Sequence, residues 1–414
     1  MRLLWFTNTP SLYKSYGEYN GGGWISSLEK LVRKNTDIEL AIAFSHTDNV
    51  FKTSQDKTIY YPIHKPTTLI SKITNFIQYS KQERKEVENY LRVIDDFKPD
   101  IIHIFGTERS FGLIAGEVNI PVIIHIQGLL EPCVNAWFPP GYSKKDFYFS
   151  NGFNPIRIYM DCWAYNINKY MAKREVRMLK SCKYFMGRTD WDKRITKLYA
   201  PNSKYFYCSE MLRDVFYTTP KRSSNKQTKI IVTTISAPLY KGADMLLKTA
   251  KLLKEETDID FEWRVYGMRS LAKMEHQLKI QAPKCNIKLL GIASAEELAN
   301  SLSEADLFFH PSYIDNSPNS VCEAQLIGLP VIACHVGGVA SIVKQGENGF
   351  LVPANDPYIA VSRIEEVLKN NTLAEELGRK AKETATQRHN PDRILSDLMN
   401  IYNQLYAIHP NQTI

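Results

Sequence analysis

Short apolar runs separated by amphipathic stretches recur along all 414 residues of the chain. In the first half the runs at 3–7, 38–44, 101–105, 122–126 and 184–187 are short and bounded by polar turn residues, which predicts strands. Positions 25–34 have helical spacing after Asn20-Gly21-Gly22-Gly23. In the second half, runs at 230–235, 261–266, 287–290, 306–309 and 331–334 predict strands, and 243–254, 295–303 and 320–327 predict the helices between them. The strands read as near-continuous apolar runs and alternate with helices, so parallel sheets covered on both faces follow. Residues 217–228 are polar and turn-rich, the composition of a linker. The pattern therefore predicts an α/β protein of two doubly wound domains, 1–216 and 217–392, with a last helical stretch at 394–406.

One segment carries chemistry in its spacing. The strand ending at Phe309 runs into a polar loop holding Asp315, after which Ser317 offers a hydroxyl N-cap and Pro318 a preset first helical position. The predicted helix ends at Gly328, and a second buried strand stops at Gly337-Gly338. A helix N-terminus directed out of the carboxyl edge of a sheet is an anion site, here offering the amides around Asn316, Ser317 and Asn319. Asp315 and Glu323 bracket it, able to accept hydrogen bonds from sugar hydroxyls, an arrangement that suits a nucleotide sugar. His310, at a strand end before Pro311, is the histidine best placed to line such a site.

Composition narrows the class. The length implies two domains, and 44% hydrophobic with 23% charged residues is the balance of a soluble globular protein. The opening apolar run is too short for a signal-peptide core and no run approaches membrane-spanning length. The seven cysteines are scattered without a CxxC pair, so they read as reduced core thiols of a cytoplasmic protein. Residues 1–215 hold 30 Lys+Arg against 22 Asp+Glu, whereas the remainder holds 22 of each. That excess would attract an anionic acceptor or an anionic bilayer surface, or would serve solubility alone. Residues 133–178 are aromatic-rich and then basic, fit to stack sugars, to touch a lipid interface, or to form a packed connection within the first domain. The excess is modest and no nucleic-acid module appears, which disfavours nucleic acid. Of two Asp-x-Asp triplets, 258–260 precedes a strand, the wrong end for a ligand site, and 190–192 lies among Arg188, Lys193 and Arg194 and reads as ion pairs, so no metal site is expected.

Taken together these motifs resemble the family 4 glycosyltransferases. Asp315 and Glu323 match the family's acid-x7-Glu motif, and Lys241-Gly242 matches its Lys-Gly after the first strand of the donor domain. Gly291 to Glu297, the 330–338 run, 348–352 and Gly21-Gly22-Gly23 match its remaining signatures. The resemblance implies the GT-B architecture: two Rossmann-like domains facing a cleft, with 393–414 returning to the first domain. It implies retaining transfer of a sugar from a nucleotide-diphosphate donor to a glycan or polyprenyl-diphosphate-linked saccharide, without cofactor or metal. It implies a catalytic pair, Asp315 on the donor sugar and Lys241 with nearby amides on the leaving diphosphate, and Glu323 on the ribose. Gly22 and Gly23 would permit close backbone approach, and Ser236, Gly267, Gly291 and His310 would line the donor side. Three departures stand out. The segment 235–240 lacks the family's diphosphate-binding arginine, for which Arg269 or Arg188 would substitute; the first acid is Asp where Glu is usual; and Gln127-Gly128 stands where His-Gly is common. Gln127, Glu108 and Arg188 are the acceptor-side candidates. A GT-B nucleotide-sugar epimerase and a non-catalytic two-domain sugar-binding protein are the alternatives; the Lys-Gly and acid-x7-Glu pairing and the unpaired thiols count against them.

Overall fold

The computed structural model describes residues 1–13, 23–47, 50–64, 79–149, 154–222, 227–236 and 239–408. The chain forms two compact units: Met1–Glu131 with Ile167–Met211 and His389–Ile414, and Pro132–Asn166 with Leu212–Arg388.

The first unit is built on an eight-stranded sheet: β1 (Arg2–Thr7), β2 (Glu39–His46), β3 (Thr53–Gln55), β4 (Thr58–His64), β5 (Ile101–Phe105), β6 (Val122–His125), β7 (Tyr184–Gly187) and β8 (Lys204–Tyr207). Their order is β3-β4-β2-β1-β5-β6-β7-β8, parallel throughout except for the β3–β4 pair. Leu3 and Trp5 enter one core layer and Leu4 and Phe6 the other, which is why β1 reads as an unbroken apolar run. Truncating such a side chain to Ala costs about 3–5 kcal/mol. The C-terminal helix Pro391–Ile408 buries Ile394, Leu398, Ile401, Tyr402 and Leu405 in the Leu3–Trp5 layer, so it belongs to this unit. A polar chain pins it: the Trp5 indole donates to the Tyr402 hydroxyl at 3.1 Å, which lies 2.6 Å from His103 Nδ1. The indole only donates, so the Tyr402 proton goes to His103 Nδ1 and the histidine carries its own proton on Nε2.

The second unit holds a six-stranded, all-parallel sheet: β9 (Lys229–Thr234), β10 (Phe261–Tyr266), β11 (Ile287–Gly291), β12 (Leu307–His310), β13 (Val331–Cys334) and β14 (Phe350–Val352). The order is β11-β10-β9-β12-β13-β14. The winding reverses between β9 and β12, and ligands of open α/β sheets bind beyond the carboxyl ends of the strands at such a switch point.

Four strands were not foreseen. β3, β8 and β14 are three or four residues long, and β4 carries Pro62, a residue that sequence patterns read as a strand breaker. The division at 211/212 and 388/389 differs from boundaries at 216/217 and 392/393, because Leu212 and Phe216 pack in the second unit's core. The expected linker 217–228 is anchored where it is described: Arg222 N donates to Ser303 O at 2.9 Å; 223–226 lie outside the described residues. The aromatic segment corrects a further expectation. Of the segment 133–178, the described residues 133–149 and 154–166 belong to the second unit and 167–178 to the first, with Trp137 5.9 Å from the Tyr240 ring and Lys273 2.6 Å from Asp161. Ser317 is also not the N-cap of Asn319–Ile327; Pro318 occupies that position and no side chain caps the helix.

Candidate functional site

Three loops meet at the carboxyl edge of the second sheet. β9 exits through Ser236 into the turn Leu239–Lys241, and Gly242 then starts helix Ala243–Glu256 at φ +81°. A Cβ there would overlap the Pro311 carbonyl oxygen, so glycine lets the loop after β9 press against the loop after β12. Gly337, at φ +49°, is confined likewise by the Asp315 carbonyl, which accepts from Gly338 N at 2.9 Å. These approaches bring Lys241 Nζ to 2.7 Å from Asp315 Oδ2, with His310 Nε2 3.3 Å from the same oxygen. Burial pushes the Asp315 carboxyl up, but Lys241 and His310 outweigh it and hold the group well below the usual carboxylate range. Asp315 is therefore ionised at neutral pH and acts as acceptor only. Its other oxygen takes the Asn316 amide at 3.1 Å. His310 is 3% exposed, and its Nδ1 has no partner among the described residues. Ser317 Oγ lies 3.5 Å from Arg388 Nη2, and Asn319 opens the helix.

Glu323, one turn into that helix, is gripped by a residue the sequence did not flag. Arg213 Nε and Nη2 each lie 2.9 Å from a different Glu323 oxygen, in a fork-to-fork pair. Arg213 sits just before the short helix Asp214–Thr218, 110 positions from Glu323, and no local pattern couples the two. Gly267 (φ +95°) and Gly291 (φ +73°) join the loops after β10 and β11, with Gly267 N donating to Gly291 O at 2.6 Å. Arg269 is exposed and folds over Gly291, where a Cβ would sit 3.0 Å from its Cγ. Arg188 is buried in the first unit, 3.0 Å from Glu210, and donates to the Gln127 carbonyl at 2.9 Å.

The carboxyl edge of the first sheet presents Glu108 and Gln127 after β5 and β6. Asn8 Nδ2 donates to Glu108 at 2.9 Å, and burial pushes that carboxyl up. Beneath it lies Glu175, fully buried, which accepts from Leu130 N at 2.8 Å, Glu131 N at 3.0 Å and Thr107 Oγ1 at 2.5 Å. Burial raises Glu175 to about 7 against those donors. This second acid, missed in the sequence, fixes both loops that carry the acceptor-side candidates. Gly23 opens helix Gly23–Asn35, whereas Gly22 lies outside the described residues. In the Asp-x-Asp triplets, Asp190 pairs with Arg194 at 2.5 Å, Asp258 with Lys369 at 2.5 Å, and Asp192 completes the capping box of helix Asp190–Tyr199 with its N-cap Thr189.

Two Rossmann-like units, with a lysine–aspartate pair at the switch point of the second, define a GT-B protein. The fold is that of sucrose-phosphate synthase from Thermosynechococcus elongatus, at a TM-score of 0.72 and 15% identity over 98% of this chain and 99% of that one. Anabaena HepE, solved in complex with UDP and glucose, matches at a TM-score of 0.60 and 14% identity over 98% and 100%. Residues 218–384 match the family described as glycosyl transferases group 1. Among curated relatives, the D-inositol 3-phosphate glycosyltransferase of Corynebacterium diphtheriae is 29% identical over 164 residues, 38% of each chain. The matched segments span about two fifths of the first curated relatives' lengths. No described helix is long and apolar enough to cross a membrane.

Proposed function

We propose that the protein is a retaining, metal-independent glycosyltransferase that moves a sugar from a nucleotide-diphosphate donor to a saccharide acceptor, free or lipid-linked. The observation that carries this reading is the Lys241–Asp315 pair at 2.7 Å, held at the switch point beside the N-terminus of Asn319–Ile327. In the reaction the bond from the anomeric carbon to the diphosphate breaks, and its electron pair leaves with the diphosphate. The acceptor oxygen bonds the same face of that carbon, and its proton passes to the departing diphosphate oxygen. Lys241 and the amides at 316–319 stabilise charge building on the leaving group, as prearranged donors do at little reorganisation cost. Asp315, acceptor only, orients donor-sugar hydroxyls; Glu323, fixed by Arg213, takes the ribose hydroxyls. Arg269 supplies the cation that the 235–240 segment lacks. HepE's complex with UDP and glucose supports a uridine donor.

Thermal shifts with UDP-, GDP- and ADP-sugars would name the donor, and proton NMR of the product would give the anomeric outcome. Lys241→Ala and Asp315→Ala each remove an interaction worth on the order of 3 kcal/mol, roughly a hundredfold or more in rate, with the fold retained by circular dichroism. Near-normal turnover by both variants would refute the mechanism. Flotation with vesicles of anionic lipid tests whether the basic first half of the chain brings the protein to a membrane.

A further inference from the structure

A second polar pocket lies at the opposite edge of the same sheet. It has a volume of about 450 Å³ and opens where Lys229 begins β9 and Asp306 precedes β12, the amino edge rather than the carboxyl edge. Small-molecule sites are commonly of this size. Its walls carry Lys221, Arg222, Lys229, Arg379 and Lys382 against two carboxylates, Asp306 and Glu375. The excess is local, because residues 216–414 hold 22 charges of each sign.

Ion pairs with glutamates outside the lining take up the two arginines and leave three lysines facing Asp306 and Glu375. Arg222 is engaged by Glu304 at 3.2 Å, Arg379 by Glu383 at 2.5 Å, and Asp306 accepts the Ile230 amide at 2.7 Å. Lys221, by contrast, donates to two carbonyls, Arg222 O at 3.0 Å and Ser303 O at 3.5 Å. Lys221, Lys229 and Lys382 have no carboxylate within ion-pair distance among the described residues. Like charges facing one cavity repel, and a bound anion relieves that repulsion. The first turn of helix Asn371–Arg388 also lines the pocket, adding the positive end of its dipole. The floor is apolar, formed by Ile327, Pro330 and Ala374.

We propose that this pocket binds a phosphate-bearing small molecule, a sugar phosphate whose ring lies on the apolar floor, at a site separate from the Lys241–Asp315 edge. The three lysines hold the phosphate. Helix Asn319–Ile327 ends at Gly328 in this pocket and starts at the opposite edge, so the ligand sits at the far end of the helix that carries Glu323.

Titration calorimetry of the full chain with ribose 5-phosphate and with inorganic phosphate, at fixed ionic strength, tests this. Saturable binding of ribose 5-phosphate, tighter than inorganic phosphate, is expected. The Lys221→Ala/Lys382→Ala variant should weaken it at least about tenfold, and Lys382→Glu, on an exposed helix face, should do so without loss of folding. Lys241→Ala should leave it unchanged, which separates this site from the proposed donor site. Absence of saturable binding by the native chain, or loss in Lys241→Ala with retention in both pocket variants, would overturn the proposal. Equal affinity for inorganic phosphate would overturn the sugar-phosphate assignment.

Discussion

Glu175 gives the first unit a pH dependence that can be isolated by a single substitution. Its carboxyl sits at about 7 in the folded chain against an ordinary 4.5, because burial outweighs the donors from Leu130, Glu131 and Thr107. The folded state then keeps a proton that the opened chain releases between these two values. Stability is complete below 4.5, falls as pH rises to about 7, and is flat beyond. A gap of that width is worth about 3 kcal/mol at most, since one pKa unit is about 1.4 kcal/mol. The bare stability curve would hide this, because burial lowers His103 to about 3 and also lowers His125, and both oppose the trend at acid pH. Glu175→Gln removes one titration and leaves the histidines in place, so the variant-minus-native difference is the readout. Hydrogen exchange of the amides at 128–135, whose opening releases Glu175, reports it locally. The variant's protection relative to native should grow roughly a hundredfold from pH 4.5 to 7, on top of a constant offset for the lost acceptor. A difference that stays constant across that range, or shrinks, would show that the donors win over burial and that the argument is wrong.

Two further outcomes follow from the second unit. Arg213→Ala removes the fork-to-fork pair from Glu323, which is 3% exposed, and should cost about 2 kcal/mol in urea unfolding, below the 3–5 of fully buried pairs because the arginine is partly solvated. Combining it with Glu323→Gln should recover over half of that loss; simple additivity would mean the fork contributes nothing. Gly337→Ala forces a side chain onto the Asp315 carbonyl at positive φ, costing about 1–2 kcal/mol from the backbone alone. Because the displaced group is Asp315, transfer should fall more steeply than the melting temperature, and unchanged transfer would sever Gly337 from the site.

What the sequence revealed and what it hid divide along physical lines. Buried parallel strands such as Ile101–Phe105 were legible because both faces are covered and every residue is apolar. Thr58–His64 was not, because Pro62 reads as a strand breaker, and its place beside β2 is fixed by pairing. Lys241 and Asp315 were legible because each sits in a local motif at a strand end. Their meeting needs only the strand order: β9 and β12 are hydrogen-bonded neighbours, so ends 74 residues apart in sequence share one edge. Arg213 lay beyond reach for the converse reason. It belongs to no strand end, its partner is inside a helix, and the hydrophobic docking of Leu212 and Phe216 is what presents its guanidinium to Glu323. The same holds for the aromatic stretch: its composition fits stacking, a lipid interface or packing alike, and contacts such as the Tyr240 ring on Trp137 and the Lys273–Asp161 pair assign it to the second unit. Strand-end chemistry is therefore readable from spacing whenever the topology is known, whereas side chains positioned by tertiary docking must be found in three dimensions. In this chain Glu323 belongs to both kinds: its motif announces it and its orientation depends on an arginine that no motif contains.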